Sequence, residues 1–116
     1  MLFVEYPKCS TCQKAGKWLN SRGISYTDRN IKEEKPSEEE LRLWHRQSGL
    51  ELKKFFNTSG LLYKSMNLKE RLSGMTEDEM FSLLASDGML VKRPILVTEK
   101  TVLVGFKEET WDKALG

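Results

Sequence analysis

The sequence predicts an α/β fold built on a mixed four-stranded sheet, and three observations carry that expectation. A strand-like run, a helix-like run and a second strand-like run follow one another in about the first thirty residues, the pattern of a βαβ unit. The middle of the chain holds two helix starts of the capping-box type. Near the end, two short apolar runs flank Thr98-Glu99-Lys100-Thr101, a connection suited to an antiparallel hairpin.

Taken in order, Leu2-Phe3-Val4-Glu5-Tyr6 reads as a buried strand, and a first helix is expected from about Ser10 to Ser21, stopping at Gly23. Ile24 to Ile31 alternates in part and reads as the second strand, parallel to the first. Ser37 with Glu40 opens a helix that places Leu41 and Trp44 on one face and ends at Ser48-Gly49. Leu50 to Phe56 is expected to be a short helix or irregular, Asn57 to Gly60 a loop, and Leu61 to Leu72 one or two short helices. Thr76 with Glu79 starts another helix, carrying Met80, Phe81, Leu83 and Leu84. Pro94-Ile95-Leu96-Val97 and Val102-Leu103-Val104 form the hairpin, and Glu108 to Leu115 a closing helix. The order βαβ, helical block, ββα is the thioredoxin layout, here one domain over residues 1–116 with helices inserted at about 37–88.

Composition narrows the function. A chain of 116 residues can bury a core without metals or several disulfides. A net charge of +2 is too small to point to nucleic acid or an anionic membrane. No apolar run approaches the ~20 residues that span a bilayer. The start, Met1 to Glu5, lacks the basic and long apolar parts of a signal peptide, so the cytoplasm is the expected compartment. In that reducing setting a CxxC pair is more often redox-active or metal-binding than a structural staple.

Both cysteines lie in Cys9-Ser10-Thr11-Cys12, at the junction of the first strand and first helix. A helix N-terminus favours the thiolate, which is the nucleophile of disulfide exchange. Cys9, ahead of the helix, is the expected exposed nucleophile of lowered pKa; Cys12, one turn in, is the expected resolving thiol. Inert packing and half a zinc site are the competing readings. Zinc normally takes four ligands; the chain has one histidine, His45, in a charged helix face that reads as surface, and no second CxxC. No metal is therefore expected, and there is no nucleotide-binding motif. Lys8, Ser10 and Thr11 flank the thiols and are candidates to stabilise Cys9 and bind substrate, although Ser10 is equally a candidate cap. Arg93, beside Lys92, is either a solvated charge or a cation near the Cys9 sulfur. Pro94 suits a first strand position, where no N–H is needed. Trp18, Trp44 and Trp111 fall on apolar helix stripes and are expected in the core.

The CxxC after the first strand, Arg93-Pro94-Ile95 before the hairpin and Val104-Gly105-Phe106 after it form an ordered set. With them, the chain resembles the arsenate reductase (ArsC)-like family, including its Spx and YffB branches, over essentially its whole length. The resemblance implies a thioredoxin-like fold and a redox or reductase role. It also implies that Cys9 is the nucleophile and that Pro94 follows a cis bond and faces it. The arsenate reductases of this family carry a Cys-x-x-Ser-Arg loop and three arginines that hold the oxyanion. Here Cys12 and Gln13 stand in place of the serine and arginine. Arg93 matches one of the three arginines, but Asn57 to Ser59 and Phe106 stand where the others fall. Lysines such as Lys54, Lys64 or Lys107 lack the planar fork of arginine. The Spx branch keeps CxxC and binds the C-terminal domain of the RNA polymerase α subunit; Gly49 falls near a glycine of that contact.

The resulting expectation is a glutathione- or thiol-dependent disulfide oxidoreductase. It would use Cys9, Cys12 and Arg93 as catalytic residues and Lys8, Ser10, Thr11, Arg93 and Pro94 toward substrate. No cofactor is expected beyond glutathione, thioredoxin or glutaredoxin as reductant, and nothing suggests an obligate oligomer. The alternatives are arsenate reductase and an Spx-like regulator that contacts the polymerase.

Overall fold

The computed structural model describes residues 1–116. Strand β1 (Leu2–Glu5) lies inside a four-stranded sheet of order β2-β1-β3-β4. It pairs in parallel with β2 (Thr27–Asn30) and antiparallel with β3 (Ile95–Val97), which pairs antiparallel with β4 (Val102–Val104). The predicted mixed sheet and the βαβ and ββα ends are thus present. The thioredoxin-like layout follows.

Alternation along β1 divides the protein into two cores. Val4 turns to a larger core with Ile31, Leu41, Trp44, Phe55, Phe81 and Leu84. Phe3 turns to a smaller one with Ala15, Trp18, Leu19, Leu96 and Trp111. The smaller core lies beneath α1 (Ser10–Ser21), whose buried Cys12, Ala15, Trp18 and Leu19 repeat at helical spacing. It also takes α6 (Glu108–Leu115), whose Trp111 is buried and donates its indole N–H to the Gly105 carbonyl at 3.0 Å. Helix α1 ends at Ser21, and the chain turns away two residues later at Gly23, in the left-handed region at φ 67°.

The strand β2 is shorter than the run Ile24 to Ile31 suggests. Ile24 and Tyr26 pack beside the smaller core, outside the ladder. Ile31 drops into the larger core just after donating its N–H to the Glu5 carbonyl at 2.8 Å.

The helical block covers the other face of the sheet. Both capping boxes form: Ser37 with Glu40 opens α2 (Glu38–Ser48), and Thr76 with Glu79 opens α5 (Glu77–Ser86). Each such cap stabilises its helix by about 1 kcal/mol. Glu40 also receives two Arg29 hydrogen bonds, at 2.7 and 2.9 Å, which tie α2 to β2. A 3₁₀ turn at Leu52–Phe55 precedes α3 (Leu61–Ser65) and α4 (Leu68–Arg71). One expectation needs correction: His45 is half-buried, not a free surface residue. Its ring packs edge-on against Phe55 and Phe81, with centres 5.9 and 5.6 Å away. No helix is long and apolar enough to cross a membrane.

Candidate functional site

The turn Tyr6-Pro7-Lys8-Cys9 brings the chain from the sheet to the start of α1. The Cys9 N–H donates to the Tyr6 carbonyl at 2.9 Å, and the Cys9 carbonyl accepts the Gln13 N–H at 3.0 Å. Gln13 fastens the same turn by donating Nε2–H to the Pro7 carbonyl at 2.8 Å. Cys9 is therefore the N-cap residue, in extended backbone, and Ser10 is the first helical residue rather than the cap. A serine or aspartate oxygen normally accepts free N–H groups at that position. Here the sulfur of Cys9 occupies it.

The two thiols are free, and their surroundings push them in opposite directions. Half-burial pushes the Cys9 thiol up, but the backbone N–H and thiol of Cys12 and the Arg93 guanidinium outweigh it and lower its pKa. The Cys12 N–H does not close a regular cap bond, yet it is near enough to favour the thiolate. Cys12 is 1% exposed. Its burial, together with Cys9 and Glu5, pushes its pKa up to about 12, against the opposing hydrogen bond that the Tyr6 N–H donates to its sulfur at 3.5 Å. One sulfur is activated at the mouth of the site, and the other is held as a thiol behind it.

Arg93 precedes β3 and is linked to Pro94 by a cis peptide bond. Its guanidinium stacks over Tyr6, and its Nη1 is buried without a hydrogen-bond partner while the group faces Cys9. Pro94 is buried, and its carbonyl accepts the Gly105 N–H at 2.8 Å.

Cys9 opens onto a cleft of about 820 Å³ between α1, the segment after α2 and the β4–α6 connection. Its charged lining is Lys53, Lys54, Lys92, Arg93 and Lys107, with no aspartate or glutamate. Asn57, Thr58 and Ser59 add polar groups, and Phe56 and Phe106 add apolar ones. Of the residues flanking the thiols, Thr11 lines the cleft; Lys8 and Ser10 are exposed outside it, as is Lys64. Sequence reading singled out Lys54, Lys107 and Arg93 but not Lys53 and Lys92, which reach the cleft from distant segments. It also passed over Glu5, whose one visible trace is a carboxylate inside an apolar strand run.

This geometry sits in a chain whose residues 4–114 match the model of the ArsC family. The chain belongs to the ArsC family. It is 52% identical over 113 residues to the uncharacterized protein YusI of Bacillus subtilis, covering 97% of this chain and 96% of that protein. It is 29% identical over 103 residues to the global transcriptional regulator Spx of Listeria innocua, covering 89% of this chain and 77% of Spx. Among solved structures, an ArsC family related protein from Bacteroides fragilis shares 57% identity at a TM-score of 0.95, covering 97% of this chain and 94% of that one. A possible arsenate reductase from Streptococcus mutans shares 46% identity at a TM-score of 0.86, covering 96% of each chain. This ArsC-family chain thus has an arsenate-reductase-like fold, and Spx-type regulators are among its relatives.

Proposed function

We propose that the protein is a cytoplasmic thiol–disulfide oxidoreductase with Cys9 as nucleophile and Cys12 as resolving thiol. The observation that carries this reading is the division of labour between the sulfurs: Cys9 lowered in pKa at a cationic cleft, Cys12 raised and buried one turn behind. The Cys9 thiolate attacks a substrate disulfide, forming a Cys9 mixed disulfide and releasing the first thiolate. Cys12 then attacks the Cys9 sulfur, expels the second thiolate and leaves a Cys9–Cys12 disulfide. Two glutathione molecules, or one thioredoxin or glutaredoxin dithiol, return the pair to thiols and are themselves oxidised to a disulfide. Arg93 favours the thiolate form of Cys9 throughout. A lining of five cations and no carboxylate favours a substrate that carries carboxylates, as glutathione mixed disulfides do.

The test is reduction of a glutathione mixed disulfide, coupled to glutathione reductase, with mass analysis of the protein after mild oxidation. The expected results are turnover abolished in Cys9→Ser and loss of two hydrogens between Cys9 and Cys12 in the wild type. Turnover that survives Cys9→Ser refutes the reading.

Two further readings have observations in their favour. The cationic cleft and the likeness to a possible arsenate reductase favour arsenate as substrate. Against it, Asn57 to Ser59 and Phe106 offer no arginine fork for the oxyanion. Coupled arsenate reduction is expected to stay near background. The likeness to Spx favours a redox-tuned contact with the RNA polymerase α subunit. A pull-down with its C-terminal domain, using oxidised and reduced protein, tests that contact, and no capture in either state removes it.

A further inference from the structure

Strand β4 is an edge of the sheet, with no strand on its outer side. The bonds at the two ends of its hairpin set which of its groups face outward. Thr98 donates its N–H to the Thr101 carbonyl at 2.9 Å, and Gly105 donates to the Pro94 carbonyl at 2.8 Å. Leu96 lies opposite Leu103 between them, so Thr101, Leu103 and Gly105 turn their backbone groups to β3. Val102 and Val104 turn theirs the other way, where no group of the protein bonds them.

That outer side faces the Cys9 cleft. Val102, Leu103 and Val104 all line it. Successive side chains of a strand point to opposite faces, so three in a row reach one cleft only where it runs along the strand's edge. The two edges of the sheet also differ in chemistry. At the far edge, β2 carries Asp28 and Arg29, charges that discourage a further strand. β4 is apolar throughout.

A ligand that displaces water from this edge must replace the lost hydrogen bonds. Val102 and Val104 present their groups about 7 Å apart, the two-residue repeat of an extended chain. The cleft's charged lining is five cations with no aspartate or glutamate. We propose that the β4 edge binds an extended, acidic peptide segment as an added strand, and that this segment carries the disulfide that Cys9 attacks; the second part rests on the disulfide-exchange reading above. The bond from Cys9 to the peptide sulfur forms, the peptide's disulfide breaks, and its other sulfur leaves with the electron pair as a thiolate. Main-chain bonds supply affinity, and the cations select for carboxylates. A second copy of this chain fits less well, because Lys100 and Lys107 flank its own β4 and would bring positive charge to a positive cleft.

The probe is a short fluorescein-labelled peptide of alternating glutamate and valine, with serine in place of the central cysteine, so that binding is read apart from redox chemistry. Its anisotropy is followed with the wild-type protein. Two analogues carry N-methyl groups on alternate backbone nitrogens, one on the odd and one on the even residues. Only one set can face β4, since a one-residue slip turns every side chain to the other face. The parent peptide is expected to bind, one analogue to lose at least about tenfold in affinity, and the other to lose far less. Lysine in place of every glutamate should weaken binding at least about tenfold. On binding, the Val102 and Val104 amide protons should move downfield in NMR spectra, and that of Leu103, already bonded in the ladder, far less. No binding of the parent peptide, equal affinity of the two analogues, or equal binding of the lysine peptide overturns the proposal. Val102 and Val104 shifts that follow protein concentration rather than peptide mean self-pairing and overturn it too. Turnover of a glutathione mixed disulfide without peptide binding removes the strand-addition site and leaves the exchange reading intact. Peptide binding by a protein that turns over no disulfide supports the site and sinks that reading instead.

Discussion

The Arg93 guanidinium lies over the ring of Tyr6, its carbon 5.2 Å from the ring centre. Tyr6 is thereby tied to every part of the site. Its ring carries the cation, its carbonyl receives the Cys9 N–H at 2.9 Å, and its own N–H reaches the Cys12 sulfur at 3.5 Å. A cation stacked on an aromatic face keeps its charge while giving up part of its hydration, so it acts on a nearby sulfur with less screening.

Removing that cation tests its role. In Arg93→Ala the Cys9 thiol loses the favourable charge, and its pKa is expected to rise. The midpoint of iodoacetamide labelling of Cys9 against pH then moves upward. An unmoved midpoint excludes Arg93 as the stabilising cation.

Labelling should also separate the two sulfurs. With its pKa pushed up to about 12, Cys12 holds a negligible thiolate fraction at neutral pH, and it is buried as well. Peptide mapping after brief alkylation at pH 7 is expected to find the label on Cys9 at least about tenfold ahead of Cys12. Equal or reversed labelling would refute the assigned roles.

The cleft cations should act on binding more than on chemistry. Lys53→Glu combined with Lys92→Glu puts carboxylates where the cleft has none. For a carboxylate-bearing disulfide this should raise KM about tenfold, with kcat changed less than about twofold. A neutral disulfide of similar size should show little change. Equal effects on both substrates would mean that the cleft does not read charge.

The buried carboxyl also leaves a mark on stability. Glu5 is raised from 4.5 to about 7, so the folded protein holds this proton more tightly than the unfolded chain. Its contribution is fully present below pH 4.5 and is lost as pH rises through about 7. Glu40 acts in the opposite sense: Arg29 lowers its pKa, so its contribution is present above the ordinary carboxylate range and is lost on acidification. Urea midpoints of wild type should therefore fall between pH 5 and 8, and Glu5→Gln should recover on the order of 1–3 kcal/mol at pH 8. No recovery in folded Glu5→Gln would mean that the carboxyl is not strained by burial.

The elements that announce themselves through short-range chemistry are legible in the sequence. Ser37 with Glu40, Thr76 with Glu79, Gly23 and the Cys9-to-Cys12 spacing each depend on residues within one turn of one another, and each has its expected place. The cleft depends on long-range assembly instead. Lys53 and Lys92 reach one cavity because Lys92 donates its backbone N–H to the Phe55 carbonyl at 2.7 Å, a pairing between segments about forty residues apart in sequence. Glu5 was hidden for a related reason. A charge at a strand end looks like the edge of a run until the fold lays a helix over it. His45 misleads in the same way, because its packing partners Phe55 and Phe81 lie on other elements.

The all-cationic wall has a consequence for any solution in which the protein is handled. Small anions from the buffer will crowd into the cleft, and a charged substrate enters by displacing them. Part of its binding free energy is then the entropy of released counter-ions, as when a polyelectrolyte sheds its ionic atmosphere. Apparent affinities measured in phosphate and in a bulky, weakly bound anion will differ although no residue has changed.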